Sequence, residues 1–345
     1  MNRFFDGVAA NEALRTRIGQ EIAAGTLSHA YIIEGPRGSG KHTLALQISA
    51  ALSCERRTDA SSPLPCKRCP SCQKILGGNS PDVITIGRED KATLGVEAIR
   101  KLKTDVWVMP NDTDVKIYLI EDAHLMTVQA QNALLLTLEE PPSYVLFFLL
   151  CESTAPLLET IRSRAQTLHT EPVPSRVMDD YLCRHSSDAS ALKATNPTEY
   201  YEILATADGK LGMALELLDP KARKPLLEQR ATAREFIRLC SERRSSEASL
   251  RYLNSLSQKR DHLTAQLSTV LLCLRDLILT KQTENAPLCF FADAEEAASL
   301  AYHFTMPELL RLSGAINEAI DRLRVNANIR LTLISLAVQA GMIQI

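Results

Sequence analysis

Apolar and polar positions along residues 1–170 switch repeatedly between a helical and an extended pattern. Asn11–Ala24 carries apolar residues at helical spacing and stops at Gly25, which predicts an amphipathic helix. His29–Glu34 (HAYIIE) is a short apolar strand pattern that runs into a glycine-rich turn, and Lys41–Ser53 beyond the turn reads as a helix. Asp82–Ile86, Val115–Ile120 and Tyr144–Leu150 are further short runs of β-branched and aromatic residues. The last two do not alternate, as expected of strands buried on both faces of a parallel sheet. Between them, Thr127–Glu139 (TVQAQNALLLTLE) reads as a helix stopped by Pro141-Pro142. Strand and helix in repetition predict an α/β layered domain.

After about Pro172 the strand pattern is lost. Residues 174–218 hold short helical patterns that end with GKLGMALELL (Gly209–Leu218). From Lys221 onward helices dominate, among them Glu228–Arg243, Leu263–Thr280, Met306–Leu323 and Ala327–Gly341. The expected division is 1–170, 171–220 and 221–345, with no repeat period or low-complexity tract.

Composition narrows the class. The 345 residues are 45% hydrophobic and 23% charged, an ordinary globular balance with room for more than one core. Against 39 Lys and Arg stand 41 Asp and Glu, a net charge of −2, so no bulk positive field draws the chain onto nucleic acid. The longest unbroken apolar run, Val145–Cys151, is far short of the ~20 residues that cross a bilayer. The N-terminus shows no apolar stretch followed by a small-residue cleavage site. No membrane association is expected, and the expected setting is the cytoplasm. Nine cysteines in a reducing compartment read first as metal ligands or packing, not as disulfides.

The strongest local motif is Gly35-Pro36-Arg37-Gly38-Ser39-Gly40-Lys41, placed between a strand and a helix. Glycines there let backbone N–H groups point at phosphate oxygens, the helix N-terminus adds its positive end, and Lys41 reaches the outer phosphates. The next residue should supply a hydroxyl to Mg²⁺, and it is His42, a poor ligand for a hard cation. Thr43 lies about 100° further round the helix. After the strand KIYLI come Glu121 and Asp122, where such a fold holds its metal and polarises water, but in reversed order. One arm is thereby lengthened and the other shortened, and displacements near an ångström cost most of a rate.

Cys54, Cys66, Cys69 and Cys72 fall within nineteen residues, two steps of them Cys-x2-Cys. That spacing suits tetrahedral thiolate coordination of a structural zinc, with no position left open for water. Cys151, Cys183, Cys240, Cys273 and Cys289 are scattered on apolar patterns and read as packing. Arg164, in IRSRA just before a short strand, would by itself pass for a surface arginine.

Together these residues resemble the bacterial DNA polymerase III clamp-loader subunits, and among them the delta-prime branch. The resemblance runs through LSHAYIIEGPRGSGK (Leu27–Lys41), the four-cysteine insertion, SPDVITI (Ser80–Ile86) and LGVEAIRKL (Leu94–Leu102). It continues through QNALLLTLEEPP (Gln131–Pro142), FFLL (Phe147–Leu150), ETIRSRAQTL (Glu159–Leu168) and VNANIRLTL (Val325–Leu333). It implies an AAA+ P-loop domain with a parallel sheet and a zinc module, a small helical lid, and an all-α collar that oligomerises. Implied partners are the other clamp-loader subunits, gamma or tau and delta, and through them the sliding clamp and primed DNA. The family's Ser-Arg-Cys motif, which places an arginine finger in a neighbour's ATP site, reads here Ser163-Arg164-Ala165. Two of the three residues match, and the guanidinium logic does not depend on the third.

The motor subunits of that family carry Lys-Thr in the loop, Asp-Glu after the strand and a lid arginine. The corresponding residues here are His42, Glu121-Asp122 and Gly212. Three erosions of one ATP site beside a retained Arg164 point to a subunit that assists its neighbour's hydrolysis. No long extension of the tau type is expected after its helical block. The alternative is a gamma- or tau-like ATPase with its own active site, supported by the intact Gly35–Lys41 loop. The residues leave ATP with Mg²⁺ open. An unrelated P-loop nucleotide kinase would need clustered arginines in an acceptor lid, and none follow the loop.

Overall fold

The computed structural model describes residues 3–59, 61–88, 92–242, 246–283, 288–291, 293–325 and 327–343. Arg243, the expected end of one helix, and Asn326 of the last shared motif lie outside them. The chain divides into two compact units, one made of residues 1–181 with 209–213 and the other of residues 182–208 with 214–345.

The first unit is built on five parallel strands: β1 (Ala30–Glu34), β2 (Val83–Ile86), β3 (Lys116–Ile120), β4 (Val145–Cys151) and β5 (Gln166–His169). Their order is β2-β3-β4-β1-β5, so β3, β4 and β1 lie inside the sheet and β2 and β5 at its edges. Every residue of β3 and β4 is buried, which is why neither alternates in sequence. Tyr31, Ile33, Ile117, Leu119, Leu146 and Phe148 pack on one face, against α1 (Glu12–Ala24), α2 (Lys41–Leu52) and α3 (Pro70–Leu76). Ile32, Tyr118, Ile120, Phe147 and Leu149 pack on the other, against α4 (Val96–Asp105) and α5 (Val128–Glu139). Gly25 caps α1 in the left-handed region at φ 67°, and the Thr127 hydroxyl caps α5 by accepting from the Ala130 N–H at 3.2 Å. The short α6 (Glu159–Arg162) leads into β5.

The unit boundary falls inside α7 (Ser175–His185) and again inside α10 (Leu211–Leu217), with α8 (Ser187–Thr195) and α9 (Pro197–Ala207) between them. The second unit continues with α11 (Pro220–Glu242), α12 (Ser246–Ser255), α13 (Arg260–Gln282), α14 (Ala294–Tyr302), α15 (Met306–Arg324) and α16 (Ile329–Gln339). Helix α13 is its axis, burying Leu263, Leu267, Val270, Leu274 and Leu277 against α11, α14 and α15. Among the described residues it is the helix long and apolar enough to cross a membrane, yet 44% of that stretch is buried in this core. Its Asp276 is fully buried and accepts from the backbone N–H groups of Cys289, Phe290 and Phe291 at 2.6–3.2 Å. A buried carboxylate so satisfied fixes the chain entering α14.

Candidate functional site

The phosphate-type loop leaves β1 at Glu34 and enters α2 at Lys41. Gly38 at φ 80° and Gly40 at φ 87° take left-handed conformations that other residues rarely adopt. Gly35 is required for a different reason: a Cβ there would stand 1.9 Å from the Thr170 hydroxyl oxygen. That hydroxyl also pairs with the Ser39 hydroxyl at 2.8 Å, fastening the loop to the end of β5. Lys41 Nζ donates to the carbonyls of Gly35 at 2.6 Å and Pro36 at 2.9 Å. Burial lowers its pKa, while the charges of Glu152, Cys151 and Asp122 act to raise it.

Arg37, Gly38, Gly40, Lys41, His42 and Thr43 line one cleft of about 610 Å³, joined by Glu121, Asp122 and Gly212. Gly35, Pro36 and Ser39 shape the loop behind it. The motif residues thus converge, and the residues that depart from the expected pattern carry partners of their own. His42 Nε2 stands 3.5 Å from Glu121 Oε1. Arg88 Nε donates to Asp122 Oδ2 at 2.8 Å, with Asp122 itself at φ 50°. The Gly212 N–H donates to the Gly38 carbonyl at 2.8 Å, and a Cβ on Gly212 would meet Gly38 Cα at 3.1 Å. The backbone of α10 therefore sits on the loop where a longer side chain would have to displace it.

Arg88, His124 and Glu152 also line the cleft, and sequence reading did not single them out. His124 Nδ1 receives the Glu152 N–H at 3.4 Å. The available signal was positional: Arg88 follows β2 as Glu121 follows β3 and Glu152 follows β4, all at the carboxyl ends of parallel strands.

These residues do not fit Mg²⁺. The ion wants oxygen ligands in near-octahedral array, and the position for a hydroxyl holds an imidazole nitrogen. Asp122 already accepts from Arg88, and Glu121 faces the His42 imidazole.

The cysteine cluster fits a metal. Cys54 follows α2, Cys69 caps α3 and Cys72 lies in its first turn, bringing all four Sγ atoms within 4.8 Å of one another. Cys66 and Cys72 Sγ are 4.0 Å apart, near the ~3.8 Å that ~2.3 Å zinc–sulfur bonds give in a tetrahedron. All four residues are buried. Burial pushes Cys54 and Cys72 up. For Cys66 burial acts upward too, but hydrogen bonds from the Arg68 and Cys69 N–H groups and from the Cys69 and Cys54 thiols together bring it down to about 6. Of the other five, Cys151, Cys273 and Cys289 are buried as expected of packing, although Cys289 Sγ also accepts from Arg275 Nη1 at 2.7 Å.

Ser163 ends α6, and Arg164 is not among the residues lining the cleft. The guanidinium, 35% exposed, meets Glu139 Oε1 at 2.7 Å and donates to the Thr160 carbonyl at 2.9 Å. Ala165 is buried.

Comparison with known proteins gives a family model described as "DNA polymerase III, delta subunit" over residues 10–174. The chain is 30% identical to DNA polymerase III subunit tau of Bacillus subtilis over 291 residues, 80% of this chain and 50% of that one. It is 34% identical to subunit gamma of Buchnera aphidicola over 160 residues, 46% of this chain and 43% of that one. It spans half or less of the length of these relatives. Among solved structures, a gamma subunit-related protein of Thermotoga maritima aligns at a TM-score of 0.43 and 18% identity, covering 94% of this chain and 98% of that one. The DNA clamp loader delta protein of Bacillus subtilis aligns at 0.34 and 11%, with the same coverage.

Proposed function

Since the chain belongs to the AAA+ clamp-loader subunits of DNA polymerase III, we propose that it is a delta-prime-type subunit, a stator that does little hydrolysis and lends Arg164 to a neighbouring subunit's ATP site. One observation carries this reading. Asp122 is held by Arg88 and Glu121 faces His42, while Arg164, tied to Glu139 only by a partly exposed ion pair that a competing anion can replace, lies outside its own cleft. A water-activating carboxylate must be free to accept a proton or orient water, and a finger must be able to reach another chain. Ser163 is the companion residue of that finger.

The remaining parts of the proposal follow from it. Cys54, Cys66, Cys69 and Cys72 hold one structural zinc whose coordination is closed, so it staples the insertion and takes no part in chemistry. The blocks 1–170, 171–220 and 221–345 act as nucleotide-type domain, lid and collar, in a cytoplasmic assembly with gamma or tau and delta subunits that loads the sliding clamp on primed DNA. With a net charge of −2 the isolated chain binds DNA weakly and in a salt-sensitive way.

The second reading, a gamma- or tau-like motor with its own active site, is favoured by the intact loop and by Lys41 in place at its mouth. Paired variants separate the two. In a reconstituted assembly Arg164→Ala should abolish most ATPase and Lys41→Ala should leave it nearly unchanged. The reverse result would establish the motor.

A further inference from the structure

We propose that the cleft takes the polyphosphate group of a nucleotide without a divalent cation, with His42 and Arg88 standing where the charge of the ion would act. This rests on reading the cleft as a nucleotide-type phosphate site, and it goes beyond the stator role by assigning that site a ligand and a cation requirement.

Three observations carry it. The cradle itself is preserved: Gly38 and Gly40 hold their left-handed turns, and Lys41 spends two of its three N–H donors on the Gly35 and Pro36 carbonyls, leaving one for the cleft it lines. The cation position is not preserved. A magnesium ion bridging phosphate oxygens would need Asp122 free of Arg88 at 2.8 Å and Glu121 free of His42 at 3.5 Å, and would then meet an imidazole in place of a hydroxyl. Finally, the donors on the rim suit an anion directly. Arg37, His42 and Arg88 line the same cleft as Lys41, and guanidinium and imidazole N–H groups bond phosphate oxygens without an intervening metal. Glu152 also faces the cleft, and its charge acts on Lys41, helping to keep the ammonium protonated.

The usual work of the ion is to neutralise carboxylates and phosphates together. Here Asp122 is already paired with Arg88 and Glu121 faces the His42 imidazole, so an ion has less carboxylate charge to offset, and the loop amides, Lys41 and the rim donors meet the phosphate directly.

Calorimetric titration of the full chain with ADP and with ATP, in excess MgCl2 and again in EDTA, tests this. The expected dissociation constants agree within about threefold between the two conditions, less than 1 kcal/mol. Lys41→Ala should abolish binding in both. Replacing His42→Ser, Glu121→Asp and Asp122→Glu in one chain should introduce a requirement for the ion, tightening binding about tenfold when Mg²⁺ is added. The proposal is overturned if the parent chain binds tenfold tighter with Mg²⁺, if it binds neither nucleotide in either condition, if Lys41→Ala binds as the parent does, or if the triple variant stays indifferent to the ion. None of these results touches the role of Arg164, which is read in the assembly.

Discussion

Helix α2 has a motif at each end, and the two have fared differently. At its start the phosphate loop has Gly38 and Gly40 in their left-handed turns, but His42 stands where a hydroxyl was expected and the carboxylates across from it face His42 and Arg88. Just past its end, Cys54 begins a cluster in which every expected ligand is present and all four sulfurs converge. The difference lies in how each site is satisfied. Four buried thiols can ionise together only around a metal, so losing one ligand strands the other three. In the cleft the contacts are separate and pairwise: His42 faces Glu121, Arg88 donates to Asp122, and the Gly212 N–H donates to the Gly38 carbonyl. A thiolate metal centre needs all its ligands at once, whereas pairwise contacts like those of the cleft depend on one another less.

That contrast breaks most visibly at the cysteines. Purified protein should carry about one zinc per chain by metal analysis, and Cys69→Ser with Cys72→Ser should remove it. Since zinc-thiolate sites in small modules bind with on the order of 10 kcal/mol, the loss should destabilise the first unit strongly, and a chelator should reproduce the fall in melting temperature. Zinc retained by the double variant, or an unchanged melting curve, would place the two motifs in the same class after all.

The loop comes next. Gly35→Ala drives a methyl group into the Thr170 hydroxyl at 1.9 Å, and overpacking of this kind costs about 1–3 kcal/mol, read as a lower urea midpoint. Shortening the obstacle by Thr170→Ala in the same chain should recover part of it. A cost of that size with no nucleotide present would mean that the backbone of the loop is retained by packing, independently of any ligand.

Much of the first unit was legible in the sequence because its signals are local. The runs Tyr144–Leu150 and Val115–Ile120 fall within one residue of β4 and β3, Gly38 and Gly40 of the loop sit at positive φ, and Pro141-Pro142 follows the end of α5. The helix expected from Glu228 instead begins at Pro220 and runs through Pro225. Arg223 anchors that first stretch, pairing with Glu199 at 2.7 Å and donating to the Leu217 carbonyl at 3.1 Å, a tertiary support that outweighs the missing N–H. The site was half legible for a related reason. Lys41, His42 and the four cysteines announce themselves by spacing, but Arg88 meets Asp122 across 34 residues, and only the register of β2 on β3 brings them together. Likewise, nothing in LEEPP announces that Glu139 will hold Arg164, 25 residues on.

The smallest expected effect sharpens the comparison at that pair. Glu139→Gln removes the partly exposed charge partner of Arg164 and should change stability by no more than about 0.5 kcal/mol, because solvent screens such pairs. A loss several times larger in a denaturant titration would make Arg164 a structural residue of this chain and weaken its assignment to a neighbour.

The most direct test of the central claim is steady-state ATPase of the reconstituted clamp-loader assembly on primed DNA, with Arg164→Ala and Lys41→Ala compared in this subunit alone. If the subunit acts on its neighbour's site, the first variant should lower turnover by about 10³-fold at the site it faces and the second should leave the assembly near its parent rate. Undiminished hydrolysis and clamp loading with Arg164→Ala would contradict it.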